Sequence, residues 1–228
     1  MIVSIFDYGS GNIKSVSKAV EFAANNLQKN ISVQVISSAN NIKKADKIIL
    51  PGQGSFKQCS SNLLQIEGAW DELNEFVLAK KKHIFGICVG MQLFADYGEE
   101  DGGSKGLGWI AGDVKKIKLQ NKELKLPHMG WNEIKIKLES PLFSKLSQDK
   151  HFYFVHSYEF IAKDQKNVAA STFYQDEVTV ALCKDNIFGT QFHPEKSHKF
   201  GMALLKNFSK VKYMLGTRVI PSSQLLNT

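Results

Sequence analysis

Cysteine, histidine and glutamate are the side chains from which a nucleophilic triad is built, and this sequence sets one of each beside signals for sharp turns. The stretch HIFGICVGMQLF, residues 83–94, passes from an apolar run through Gly86, Cys88 and Gly90 into a helical pattern. G-x-C-x-G has the form of an elbow in which a nucleophile sits on a strained strand-to-helix turn, with glycines where neighbouring backbone comes too close for a Cβ. Such an elbow pushes Cys88 into the open and sets it at a helix start, whose N–H groups favour thiolate. It also leaves the N–H of Val89 to donate to a developing oxyanion. Cysteine is also among the residues most often buried, so this window alone leaves an ordinary interior thiol open.

A second window, GTQFHPEKS, ends an apolar run at His193, with Glu195 beyond Pro194. In extended chain, residues i and i+2 share a face, and proline biases its predecessor to extended geometry, so His193 and Glu195 should project together. That supplies an imidazole to move a proton and a carboxylate to fix its tautomer; the alternative is a pair that caps the following helix. A third window, LPGQGSF (50–56), brackets Gln53 with Gly52 and Gly54. The exposed N–H groups of such a turn suit an anion or oxyanion, although turn chemistry alone accounts for the glycines.

The elements that must position these windows alternate in type. MIVSIF reads as strand, IKSVSKAVEFAANN as helix, ISVQVI and KIILPG as strands, AWDELNEFVLAKK as helix and HIFGI as strand. Strands separated by helices imply βαβ units and a mostly parallel sheet, whose ligand sites lie at the carboxyl ends of the strands. The three turns then converge on one sheet edge. From about residue 107 the pattern becomes short strands (VKKIKL, WNEIKIKL, FYFVHSYEF, NVAASTF, VTVALCKDN, IFGTQFH), which should extend the sheet or form an antiparallel flap. SHKFGMALLKNFSKVKY reads as a closing helix. One domain over 1–210 with a tail over 211–228 is the expected organisation.

The chain has 228 residues, 43% hydrophobic and 22% charged, the composition of a well-cored globular domain. MIVSIFDYG carries no basic leader, and no apolar run reaches the roughly 18 residues of a spanning helix, so the chain reads as cytoplasmic, away from membranes. Cys59, Cys88 and Cys183 form no C-x-x-C pair and the six histidines are scattered, so neither a disulfide framework nor a metal site is expected. The net charge of +7 comes from dispersed lysines (KKADK, AKKKH, DVKKIK) without aromatic interleaving. That excludes a nucleic-acid surface and reads as a solvated face, with an acidic protein partner as the next possibility.

GICVGMQLF, LPGQGSF, PHMGWNEI, YFVHSY and QFHPEKS together resemble the sequence blocks of class I (triad) glutamine amidotransferases. PHMGWN and YFVHSY are similar to those of the glutaminase subunits of imidazole glycerol phosphate synthases. The blocks run in family order over about residues 1–210. The resemblance implies a flavodoxin-like sheet, no cofactor, and hydrolysis of glutamine to glutamate and ammonia. By the motif match Cys88 forms a thioester, His193 is base and then acid, Glu195 orients it, and the amides of Gln53 and Val89 make the oxyanion hole. Gly52, Gly54, Gln92, His156 and Ser157 lie by the substrate. The resemblance further implies a (β/α)8 cyclase partner that takes the ammonia through a tunnel, with Ser10, Asn12, Tyr153 and Lys196 near that interface, and low activity until the partner is occupied.

Two departures bear on the chemistry: Val89 stands where leucine is usual, and Gln53 replaces an apolar residue, which bears on how easily that peptide rotates. The acidic segment DYGEEDGGSKGLG reads as an ordinary surface loop. The residues from Met214 are similar to the opening strand of the cyclase barrel, which fits either a reading-frame overlap or a plain tail. Other readings of the whole are a paralogue feeding ammonia to sugar amidination, a non-catalytic binding subunit, and a stand-alone cysteine hydrolase such as a γ-glutamyl peptidase. The last fits PHMGWN and YFVHSY poorly.

Overall fold

A computed structural model describes residues 1–27, 30–120, 123–146, 150–211 and 218–219. The alternation seen in the sequence becomes β1 (Ile2–Phe6), α1 (Ile13–Asn25), β2 (Ser32–Ile36), α2 (Ala39–Ile42) and β3 (Lys47–Gly52). There follow α3 (Phe56–Gln65), α4 (Ala69–Asn74), β4 (His83–Cys88) and the single turn α5 (Val89–Gln92). β3 and β4 are buried along their whole length, which is why they read as unbroken apolar runs.

After residue 96 come the short strands β5 (Tyr97–Gly98), β6 (Ser104–Lys105), β7 (Gly112–Lys116), β8 (His128–Glu133), β9 (Lys135–Ile136) and β10 (Leu138–Glu139). They are followed by β11 (His151–His156), β12 (Tyr158–Ala162), β13 (Val168–Tyr174), β14 (Asp176–Lys184), β15 (Ile187–Thr190) and helix α6 (His198–Lys210). The main sheet has eight strands in the order β2-β1-β3-β4-β15-β14-β13-β9. The first five of these are mutually parallel, and β14, β13 and β9 continue the sheet antiparallel. β1→β2 steps one way and β2→β3→β4 the other, so right-handed crossovers place α1 on one face and α2, α3 and α4 on the opposite one. Accordingly α1 packs against α6, and α4 against α2 and α3.

The short strands do both things expected of them, but they make two flap sheets rather than one. FYFVHSYEF divides at Ser157: β11 pairs with β8, whereas β12 joins a four-stranded sheet in the order β12-β7-β5-β6. WNEIKIKL divides likewise into β8, β9 and β10, which belong to three different sheets. Helix α3 had no counterpart in the sequence reading. Its buried Phe56, Cys59 and Leu63 sit on one helical face among polar residues, and Ser55 caps it by accepting from the Gln58 N–H at 3.3 Å. α4 runs on as a wide π turn, Glu75–Ala79.

Lys47 at the start of β3 is buried, and its ammonium donates to the carbonyls of Phe208 (2.7 Å), Ser209 (3.1 Å) and Val211 (2.7 Å) at the end of α6. A cation there satisfies carbonyls that the helix leaves open and lies at the negative end of its dipole. No helix among the described residues is long and apolar enough to cross a membrane. Of the tail, Val211 and the pair Arg218–Val219, antiparallel to β10, are described; the rest, including Met214 and most of the barrel-like run, lies outside the described residues.

His83 on β4, His128 on β8 and His156 on β11 are buried. Burial pulls His83 and His128 down to about 4, with the Lys47 cation adding to the effect at His83, and pulls His156 to about 3. All three gain a proton on unfolding once the pH drops below about 6.5, the ordinary histidine value. Through these three rings the unfolded chain then binds more protons than the folded one between about 6.5 and the folded values, so their contribution to stability is complete above that window and falls on acidification. Urea midpoints should therefore be lower at pH 5 than at pH 7.5; equal midpoints would contradict neutral, buried rings.

Candidate active site

The three windows meet because β3, β4 and β15 are parallel neighbours. Gly52 lies opposite Cys88 and Ile87 opposite Thr190, so LPGQGSF, the cysteine elbow and QFHPEKS leave the sheet at one edge. Cys88 adopts φ 54° and ψ −116°, a conformation that L residues rarely hold. Close backbone packing holds it. A Cβ on Gly90 would lie 1.8 Å from the Leu50 carbonyl oxygen, one on Gly52 2.2 Å from the Gly90 nitrogen, and one on Gly86 2.6 Å from the Met91 nitrogen. The elbow therefore nests directly on β3.

Two features of the elbow differ from the sequence expectation. Cys88 is not displayed in the open: it is 6% exposed and lies at the wall of a cavity of about 280 Å³. The helix behind it is one turn long, so the local N–H groups act there rather than a long helix dipole.

His193 is buried, and its Nδ1 lies 2.8 Å from Glu195 Oε1. The pair meets by a different route from the extended one anticipated. His193 itself is extended (φ −98°, ψ 99°), but Pro194–Lys196 forms a 3-10 turn that folds Glu195 back under the ring. Glu195 Oε1 also accepts from Asn12 Nδ2 at 2.6 Å. The backbone of His193 is tied to β11 through its N–H to the Tyr153 carbonyl, 3.0 Å, and its carbonyl accepts from Ser197 Oγ at 2.6 Å. Ser197 Oγ in turn accepts from the Tyr153 N–H at 3.0 Å.

On its other side His193 Nε2 is buried, makes no hydrogen bond of ordinary geometry and belongs to the wall of the same cavity as Cys88. Burial opposes a charge on this ring, but the Cys88 sulfur and the Glu195 carboxylate outweigh it and raise the histidine well above its usual range. The arrangement can pair a sulfur nucleophile with a proton donor whose far nitrogen is anchored by a carboxylate.

The remaining expected residues divide between the cavity and its supports. Gln53, Gly54, Val89, Gln92, His156, Ser157 and Lys196 line the cavity with Cys88 and His193. Gly52 lies behind the elbow as packing. Ser10 is buried and donates to the Pro51 carbonyl at 3.2 Å, as Tyr8 does at 2.6 Å, so both grip the glycine turn from behind. Gln53 keeps its carbonyl toward α3, where it accepts from Cys59 Sγ at 3.5 Å. Tyr153 stands under the Lys196 ammonium, 5.8 Å from its ring centre.

Pro127, Val155, Glu100 and Tyr158 on the cavity wall, and Gln191 behind it, were not anticipated. Glu100 reaches the wall from DYGEEDGGSKGLG and accepts from the Phe56 N–H at 2.7 Å, so that segment is not merely a surface loop. Tyr158 lines the wall beside Ser157, and Gln191 contacts the Cys88 sulfur through its Nε2 at 3.6 Å. Nothing local marks Glu100. Among the described residues no cluster of histidine, cysteine and acid is disposed to hold a metal ion.

The family model described as glutamine amidotransferase class-I matches residues 4–211. The imidazole glycerol phosphate synthase subunit HisH of Pelagibacter ubique is 50% identical over 208 residues, covering 91% of this chain and 99% of that one. HisH of Bradyrhizobium diazoefficiens is 45% identical over 215 residues, 93% and 100% of the two chains. The glutaminase domain of Trypanosoma brucei CTPS with bound acivicin superposes with a TM-score of 0.64 at 16% identity, over 96% of this chain and 98% of that one, a likeness of fold.

Burial raises Cys59 to about 11 and Cys183 to about 12, so neither supplies thiolate at neutral pH. A glutamine-mimicking chloroketone at pH 7.5 should add one equivalent, mapped to Cys88 by peptide mass; equal labelling of the three thiols would contradict this site. Gly90→Ala should cost roughly 3 kcal/mol or more, since the new methyl meets backbone that cannot move aside. A urea midpoint matching wild type would mean that the elbow does not rest on β3.

Proposed function

The chain belongs to the class-I glutamine amidotransferases, and from that membership we propose that it is the glutaminase subunit of an imidazole glycerol phosphate synthase, acting in histidine biosynthesis. Relatives of that name match it at 50% and 45% identity over nearly their whole length. The observation that carries the chemistry is the buried Glu195–His193 pair, with the free Nε2 of His193 on the same cavity as Cys88.

In this reading the Cys88 sulfur attacks the side-chain amide carbon of glutamine. The carbonyl electrons move to oxygen, where the N–H groups of Gln53 and Val89 receive the negative charge. His193, having taken the Cys88 proton as base, donates it from Nε2 to the departing nitrogen, so ammonia leaves and a thioester remains. Neutral His193 then takes a proton from water, hydroxide attacks the thioester, and glutamate leaves as the proton returns to the Cys88–His193 pair. Glu195 holds the Nδ1 proton throughout, which keeps Nε2 directed at the reacting atoms. Gly54, Gln92, His156 and Ser157 surround the bound amino acid, while Gly52 serves by letting the elbow seat.

Ammonia in neutral water is mostly protonated and no longer nucleophilic, which favours delivery straight to a cyclase subunit over release. The flap offers a surface for such a partner: Met129 is 62% exposed and Trp131 48% exposed on β8, near Tyr153 and Lys196. Ser10 and Asn12 point inward to the glycine turn and to Glu195, so a partner pressing on that loop would act on the oxyanion hole and the triad together. A purely binding role leaves the assembled Cys88, His193 and Glu195 without a purpose.

Cys88→Ser should lose glutamine-dependent turnover by about three orders of magnitude or more while the complex with the cyclase still makes product from ammonium salts. The wild-type chain alone should hydrolyse glutamine slowly and be stimulated by a nucleotide-loaded cyclase. Persisting glutaminase activity in the serine variant would remove Cys88 as nucleophile; full activity without the cyclase would remove the coupling.

A further inference from the structure

We propose that Gln191 is the positioning residue of the Cys88 sulfur, its amide turned the right way by Gln92, whose own amide is oriented by the backbone carbonyl of Tyr158. The proposal rests on the reading of Cys88 as nucleophile and adds a residue to it.

The direction of the chain follows from one backbone carbonyl. The Tyr158 carbonyl can only accept, and two side chains approach it: Gln92 Nε2 at 3.2 Å and His156 Nδ1 at 2.9 Å. The Gln92 group facing it is therefore the NH2, whose other hydrogen points to Gln191 Oε1 at 2.9 Å. With its oxygen so engaged, Gln191 must present its own NH2 to Cys88 Sγ, 3.6 Å away. Gln191 is 0% exposed, so water offers no competing partner.

The other arm is equally determined. His156 carries its hydrogen on Nδ1, which leaves Nε2 as acceptor for His128 Nδ1 at 3.0 Å. His128 Nε2 then accepts from Asn132 Nδ2 at 3.3 Å, and the same amide also donates to the Phe173 carbonyl at 3.0 Å. Each ring nitrogen in this arm has one role, which requires both rings neutral, and burial keeps them so at physiological pH. The side-chain carbonyl of Asn132 is occupied by the Glu133 N–H at 2.8 Å, so its amide cannot turn over without losing three bonds.

A donor fixed on the sulfur has two effects. It favours the thiolate over the thiol, because a hydrogen bond to the charged form stabilises it, and it limits the sulfur to one direction of approach. The other titratable groups on this cavity are His193, His156, Glu100, Tyr158 and Lys196, with Tyr8 and Cys59 behind the glycine turn.

The test is Gln191→Met, which keeps much of the volume and removes the donor. In the full chain, kcat for glutamine should fall about ten- to hundredfold, the effect of losing a hydrogen bond to a charged group, with KM changed much less. The pH profile for alkylation of Cys88 by iodoacetamide should move to higher pH. A folded variant with wild-type kcat and an unmoved profile would overturn the proposal. If the variant does not fold, wild-type protein labelled with ¹⁵N serves: the Gln191 side-chain NH2 signals should shift on Cys88→Ser, and unchanged signals would overturn it. A displaced alkylation profile in a protein whose wild type hydrolyses no glutamine would uphold the role of Gln191 and discard the glutaminase reading instead.

Discussion

Contact between two backbones supports everything else in this protein. The turn after β4 lies so close on the end of β3 that the Gly90 position has no room for a methyl group beside the Leu50 carbonyl. That contact holds Cys88 at a positive φ and places the sulfur beside the glycine turn of β3. Strain of this kind persists only where the surroundings over-determine it, and here two buried strands and three glycines do so. A looser fit would let the backbone relax and the sulfur swing away from its partners.

Around that strained point the protein keeps two kinds of histidine. His193 has a carboxylate on one side and a sulfur on the other, and these raise it although burial opposes a charge on the ring. His128 and His156 lie among aromatic rings and neutral amides, and burial strips them of charge. A ring that must transfer a proton thus sits within reach of rings that must not. What separates them is whether an anion was folded into the same pocket.

The flap sheets contribute more than cover. β11 delivers both the Tyr153 contacts that pin His193 and the His156 ring that meets the Tyr158 carbonyl. β8 carries Asn132 and His128 inward while Met129 and Trp131 face out. A strand's alternation lets one segment serve an outer surface and an inner polar chain together, with the side-chain period of two keeping them apart.

Much of this could be read from residues alone. The alternation of strands and helices, the parallel sheet, and the three marked turns at its edge follow from local periodicity and glycine chemistry, which are encoded within a few neighbouring positions. The pairing of His193 with Glu195 was legible too, although the turn that achieves it is helical rather than extended. What periodicity does not carry is which short strand joins which sheet, so the division of FYFVHSYEF at Ser157 and of WNEIKIKL into three sheets was not visible. Nor was Glu100 at the cavity or Gln191 on the sulfur, because those contacts join residues 44 and 103 positions apart. Sequence determined the chemistry that could be assembled, since side-chain type is local. Only the tertiary structure decided the burial of Cys88, the charge on each histidine and the direction of each amide, because those depend on what lies across space, where solvent is excluded and a partner far along the chain sets the field.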